Sequence, residues 1–386
     1  MDILGPMTDT SDDPPRAPAL PPAATPAPGD AAFAPPSWLA NAHLQSILPT
    51  LGLRRLLLAR RTRALLAASR PQILECGQGV RLLGHLSSHD IGGFDAGDLD
   101  PGAAAGSNKE AARSSQRIGR PGARDLVVLL HGWEGHADSM HLLSLGSRLF
   151  DLGCDVFRLN FRDHGASHHL NEGIFHSCRL DEVLGAVGYL HHQMPEQRVT
   201  VAGFSLGGNF ALRVAARAPA AGVPLQRAIA ICPVLHPPST MDALEHGWAV
   251  YRRYFISRWK RSLRLKQRCF PDRYDFEPLL AERSIRAMTR TLVERYSEFP
   301  DLDTYLNGYS LAGTTLARLE VPSHLLYSLD DPIIPARDIE RLACSPALNL
   351  VSIPRGGHCG FMEGFNHHSW ADRQVTQLMD LSRHLG

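Results

Sequence analysis

A chain of 386 residues with only seven cysteines, none in a CxxC pair, has no disulfide framework and no cysteine-rich metal module. The odd, scattered set (Cys76, Cys154, Cys178, Cys232, Cys269, Cys344 and Cys359) reads as free thiols in a reducing compartment. A long apolar run is also missing, so no bilayer-spanning helix is expected. Met1 to Asp30 lacks the basic start and apolar core of a secretory signal. Together these make a cytoplasmic location the expectation. Bulk charge is lacking too. The formal net charge is +1, which gives no field to gather nucleic acid, and no nucleic-acid-binding signature is present. What is there is ordinary globular material, 44% hydrophobic and 20% charged.

Two stretches stand apart. Residues 1–35 are rich in Pro and Ala and poor in apolar bulk, so a disordered tail is expected. Residues 87–124, centred on Gly, Ala and Asp between Gly92 and Gly106, read as a low-complexity loop insertion. Between them, Ile73 to Cys76 and Val80 to Leu86 flank Gly77-Gln78-Gly79, the pattern of a hairpin.

From Asp125 the pattern alternates. Short apolar runs predict strands at Leu126–Leu130, Asp155–Phe161, Arg198–Ala202, Arg227–Cys232, His324–Tyr327 and Leu348–Ile353. Helical periods fall at His141–Leu152, Leu180–Met194 and Ser205–Arg217, with a last helix from about Ser369. Such alternation predicts an α/β fold, a mostly parallel sheet with helices on both faces, spanning 36–386. Residues 236–315 interrupt it. They carry helical, basic and aromatic signals, and a helical cap over the carboxyl edge of the sheet is expected, where ligands bind in open α/β sheets.

Gly203-Phe204-Ser205-Leu206-Gly207 fits G-x-S-x-G, with a strand leading in and a helix leading out. That turn projects a serine hydroxyl above the sheet, at the positive end of a helix dipole. A helix N-cap serine is the plain alternative. A neutral serine needs a base to attack a carbonyl. Of 19 histidines, His358 lies on a glycine-rich loop after the last strand, within reach of such a site. Its orienting carboxylate is expected after the penultimate strand, where Asp330 and Asp331 compete. The D-x-x-x-P pattern ending at Pro335 favours Asp331 and leaves Asp330 to cap the turn or face solvent. The loop His131-Gly-Trp-Glu-Gly135 follows the first parallel strand. Its Trp133 N–H, with the Leu206 N–H, is expected to form an oxyanion hole.

These residues are familiar as a set. The chain resembles the YheT-like branch of the α/β-hydrolases, related to mammalian ABHD esterases and yeast ethyl-ester synthases. The resemblance is carried by Pro36-Ser-Trp-Leu-Ala-Asn-Ala-His-Leu-Gln-Ser-Ile-Leu-Pro49, His131–Gly135, Asn160-Phe-Arg-Asp-His-Gly165, Phe175-His-Ser177, Gly203–Asn209, Asp330-Asp-Pro332 and Gly356-Gly-His-Cys-Gly-Phe361. The tail and the 87–124 insertion depart from the pattern. The resemblance implies a carboxylic ester hydrolase acting on a small-molecule ester or lipid, short- to medium-chain acyl esters or acylglycerols among them, with no cofactor. Acyl transfer to an alcohol and a catalytically silent partner-binding scaffold are the rival readings. Oligomeric state is not legible.

Three further signals are weighed. His164, His168 and His169 with Asp163 lack a metal-binding pattern, so no metal is expected. The cations Arg252, Arg253, Arg258, Lys260, Arg261, Arg264, Lys266 and Arg268 make the cap basic. A solvated helix face is the bland account, and peripheral contact with an anionic membrane the sharper one. Trp248, Tyr251, Phe255 and Trp259 follow helical spacing and suit packing or an acyl pocket.

Overall fold

The computed structural model describes residues 33–90, 124–364 and 369–381. The expected tail 1–35 and loop 87–124 lie almost wholly outside the described residues.

One sheet organises the molecule. Its strands are β1 (Ser69–Glu75), β2 (Arg81–Ser87), β3 (Asp125–Leu130), β4 (Asp155–Leu159), β5 (Arg198–Phe204), β6 (Arg227–Ile231), β7 (Ser323–Ser328) and β8 (Leu348–Ile353), in spatial order β1-β2-β4-β3-β5-β6-β7-β8. The β1–β2 hairpin turns through Gly77-Gln78-Gly79 and adds β2 antiparallel to β4, with Gly84 opposite Leu159. Every pairing from β4 through β8 is parallel. Strands buried on both faces need nearly continuous apolar residues, and β3 buries Leu126–Leu130 after Asp125, which pairs with Arg198 at 2.8 Å.

Helices cover both faces. They are α1 (Ala42–Ile47), α2 (Gly52–Ala67), α3 (Met140–Asp151), α4 (Leu180–Gln193), α5 (Leu206–Arg217) and α11 (Trp370–Leu378). One core holds Val128, Leu130, Phe157, Phe161, Val187 and Phe210; the other holds Val127, Leu129, Leu149, Ile231, Phe361 and Trp370. The alternation along β3 divides its side chains between the two. The strand expected over Asp155–Phe161 ends at Leu159: the Asn160 N–H still donates to Leu83 O of β2 at 2.9 Å, and its side-chain Oδ1 accepts the Ala137 N–H of the loop after β3 at 2.8 Å.

Between β6 and β7 lie five helices: α6 (Pro237–His246), α7 (Ala249–Cys269), α8 (Glu277–Ala281), α9 (Ile285–Tyr296) and α10 (Leu302–Gly308). They hold a third apolar cluster around Trp259, Leu263, Phe276, Met288 and Leu292. A buried cation fixes α7. Lys266 Nζ donates to Asp163 Oδ1 at 2.9 Å, Asn171 O at 2.5 Å and Gly173 O at 3.1 Å. Burial makes the lysine easier to deprotonate and pushes the Asp163 carboxyl up to about 6, with their attraction opposing both shifts. Pairing with full hydrogen bonding is what makes such burial tolerable.

Candidate active site

β5 runs straight into the G-x-S-x-G turn, and the backbone there leaves no room for side chains. A Cβ at Gly203 would come within 2.2 Å of Gly207 O; one at Gly207 would lie 2.3 Å from Leu130 O. Ser205 itself sits at φ 54° and ψ −118°, a conformation costly for a residue with a Cβ. Its N–H donates to Ile231 O at 2.9 Å, which ties the strained turn to β6. The hydroxyl stands at the start of α5, where the helix dipole is positive.

The structure brings Ser205, His358 and Asp331 together. Ser205 Oγ is 2.9 Å from His358 Nε2, and His358 Nδ1 is 2.8 Å from Asp331 Oδ2. The other oxygen of Asp331 accepts the N–H groups of Ile333 and Ile334 at 2.8 and 2.9 Å, so the carboxylate is held at both ends. Burial works against a charged imidazole at 358, but the adjacent Asp331 carboxylate outweighs it and the pKa is raised well above its ordinary value. With Nδ1–H committed to the carboxylate, Nε2 is free to take the serine proton.

Asp330 does more than cap a turn. Its Oδ1 accepts Gly356 N–H and Gly357 N–H, each at 2.9 Å, and also the Ser328 hydroxyl. Two adjacent carboxylates thus grip the histidine loop, one by its imidazole and one by its backbone.

A third support comes from the N-terminal segment. Asn41 caps α1, its Oδ1 accepting the His43 and Leu44 N–H groups. Gln45, fully buried, donates to Leu39 O and Met362 O at 2.9 Å and accepts the Met362 N–H at 2.7 Å. Ser46 Oγ accepts the His358 N–H at 2.8 Å. The loop approaches so closely that a Cβ at Gly357 would meet Ala42 O at 2.3 Å, and one at Gly360 would meet Gln45 O at 2.1 Å. In the sequence this segment carries the family resemblance but no evident task. The legible signal is Asn41, an N-cap residue that starts a short helix; the burial that makes Gln45 and Ser46 seek polar partners is not written in the local sequence.

The loop after β3 lies beside the serine. An added Cβ at Gly132 would sit 3.3 Å from Ser205 Cβ. His131 pins the loop: its Nε2 accepts the Phe161 N–H at 3.2 Å, and its Nδ1 lies 2.7 Å from Gly132 O. Burial, with His164 nearby, drives its pKa well down, so the ring is neutral and can fill both roles as the Nδ1–H tautomer. Trp133 stacks on Phe255, centroids 5.2 Å apart, and meets Trp259 edge-on at 5.3 Å. No acceptor among the described residues takes the Trp133 or Leu206 N–H. Burial pushes the neighbouring Glu134 carboxyl up to about 8, against the pull of Arg258.

A cavity of about 90 Å³ opens onto Ser205, lined by Trp133, Leu206, Met241, Leu244, Phe255, Trp259, Ile285 and Leu292 among others. Its walls come from the loop after β3 and from α6, α7 and α9. Asn209 Nδ2 joins these layers by donating to Val234 O and Tyr309 O, both at 2.8 Å.

Two of the three histidines near Asp163 are engaged otherwise, and His169 is exposed. His164 Nδ1 lies 2.7 Å from Arg162 O, and His168 Nε2 2.9 Å from Ser262 Oγ. A ligand atom each from Cys232, His358 and Cys359 fall within 4.8 Å of one another. Both imidazole nitrogens of that group are already bonded to Asp331 and Ser205, so a metal there would have to dismantle the serine–histidine–aspartate chain. No described helix is long and apolar enough to cross a membrane.

A family model described as the alpha/beta hydrolase fold matches residues 125–365. Human phospholipase ABHD3 is 22% identical over 262 residues, 66% of this chain and 64% of the human protein, so the match spans less than two thirds of that relative. The putative esterase YheT of Escherichia coli is 22% identical over 263 residues, 66% of this chain and 76% of that protein. Among solved structures, a serine hydrolase from Cycloclasticus zankles shares 14% identity over 81% of this chain and 98% of its own, with a TM-score of 0.49.

Proposed function

The chain belongs to the α/β-hydrolase fold family, in its YheT/ABHD-like branch, and on that premise we propose that it cleaves carboxylic esters, short- to medium-chain acyl esters or acylglycerols, through Ser205, His358 and Asp331. Ser205 Oγ attacks the ester carbonyl as His358 Nε2 takes its proton. Asp331 holds the imidazole in the Nδ1–H tautomer and stabilises its charge. The negative oxygen of the tetrahedral intermediate lies against the N–H groups of Trp133 and Leu206. One such donor is typically worth about 3 kcal/mol of barrier. The intermediate collapses as His358 returns the proton to the leaving alcohol. Water, deprotonated by the same imidazole, then releases the acid and restores the serine.

The observation that carries this reading is the continuous chain Ser205 Oγ–His358 Nε2 at 2.9 Å and His358 Nδ1–Asp331 Oδ2 at 2.8 Å. The apolar cavity beside it suits an acyl chain, and α7 and α9 shield that chain from water. Seven free thiols fit a reducing compartment such as the cytoplasm.

The test is turnover of p-nitrophenyl esters of graded chain length by the wild type and by Ser205→Ala. The reading expects hydrolysis by the wild type and a loss of about a thousandfold or more in the variant. Equal turnover by both proteins removes it.

A further inference from the structure

Helix α2 presents the wrong chemistry to water. It buries Arg54, Leu58, Thr62 and Leu65 along one stripe. On the opposite side, at 100° per residue, stand Leu53 and Leu56, exposed by 57% and 74%, with Leu57 on the flank, exposed by 42%, and Leu51 just before them. A surface helix of a globular protein places polar residues there.

Charge on this segment is one-sided. No Asp or Glu occurs from Phe33 to Leu74, while Arg55, Arg60, Arg61 and Arg63 are exposed. None of these four forms an ion pair among the described residues.

A second acid-free segment meets the first. Residues 249–269 of α7 contain no carboxylate and eight cations, of which Lys266 is buried against Asp163. At its start Trp248, Val250 and Tyr254 are exposed. The His43 ring of α1 packs on Trp248 with centroids 4.9 Å apart, and His43 Nδ1 lies 2.9 Å from the Tyr251 hydroxyl. α1 therefore joins α2 to the start of α7. Further along α7, Phe255 and Trp259 line the cavity.

We propose that α1, α2 and the first turns of α7 form a docking face for a bilayer bearing anionic headgroups. Leucine and tryptophan side chains enter the headgroup–acyl boundary, and arginines interleaved with them extend their guanidinium groups back to the phosphates. The absence of carboxylates across both segments is the complement such a surface requires. Docking there brings the cavity end of α7 to the lipid layer. This inference is independent of the hydrolytic reading, because binding needs no turnover.

The experiment is co-sedimentation of the full chain with phosphatidylcholine vesicles, with and without phosphatidylglycerol, at low and high salt. Two variants accompany it: Leu53→Gln/Leu56→Gln/Leu57→Gln, and Arg60→Gln/Arg61→Gln/Arg63→Gln. Wild type is expected to bind the anionic vesicles, to release at high salt and to ignore pure phosphatidylcholine. Each arginine removed weakens binding about fivefold. The leucine variant weakens it at least tenfold, while both variants hydrolyse a water-soluble p-nitrophenyl ester as the wild type does. No binding by wild type, or undiminished binding by both variants, overturns the proposal. So does a wild-type dimer that the leucine variant converts to monomer, which assigns the face to a second copy. Vesicle binding by a protein with no esterase activity leaves the docking face standing and removes the hydrolytic reading instead.

Discussion

Asp330 and Asp331 are chemically identical neighbours, and the backbone turn between them sends their carboxylates to different partners. Asp331 reaches the imidazole, and Asp330 reaches two backbone N–H groups of the loop that carries it. The D-x-x-x-P pattern is enough to favour Asp331, but the grip of Asp330 depends on a loop 26 residues away and is invisible in sequence. Their substitutions should separate. Asp331→Asn is expected to lower kcat by about four orders of magnitude by spoiling the histidine tautomer, with little loss of stability. Asp330→Ala orphans buried donors and is expected to cost about 1–3 kcal/mol of stability, read by denaturant titration, with a smaller fall in kcat. The histidine also sets the pH profile. Its base form is the neutral one, and the Asp331 carboxylate raises its pKa, so kcat/KM should rise with pH through a midpoint above 6.5. A limb centred below that value contradicts the assigned pair. The linked stability has the opposite sense: the raised pKa stabilises the fold at low pH, and this contribution fades as pH climbs through the folded-state value.

Elements differ in how openly the sequence declares them. The parallel strands are short apolar runs, and the hairpin carries its glycine turn, so both are readable from local pattern. α2 is not, because leucines occupy its outer face as well as its inner one and blur the helical period. The helices between β6 and β7 announce helicity without boundaries, since α8 and α10 are a few residues long and hold their place by tertiary contact. α1 is six residues long, yet it braces the histidine loop through Gln45 and Ser46. Gln45→Ala removes three hydrogen bonds inside that brace. The expected cost is about 2–3 kcal/mol in stability, together with a kcat several-fold lower at nearly unchanged KM. Parallel loss of substrate affinity would place Gln45 at the binding surface instead.

At the scale of the whole molecule, topology does what no single motif can. Ser205 follows β5, Asp331 follows β7 and His358 follows β8, all at the carboxyl ends of parallel strands in one half of the sheet. The order serine, aspartate, histidine is thus legible in sequence as soon as the strands are placed. The cavity is not legible, because its walls come from α6, α7 and α9, whose packing over the serine is decided by side chains distant in the chain, such as Lys266 on the loop around Asp163. The central claim is that Ser205 is activated by the His358–Asp331 pair, and a fluorophosphonate probe tests it most directly. Intact-mass and peptide analysis of the folded protein should find one covalent adduct, on Ser205, formed quickly in the wild type, far more slowly in His358→Ala and not at all in Ser205→Ala. An unlabelled wild type, or labelling of His358→Ala at the wild-type rate, would contradict it.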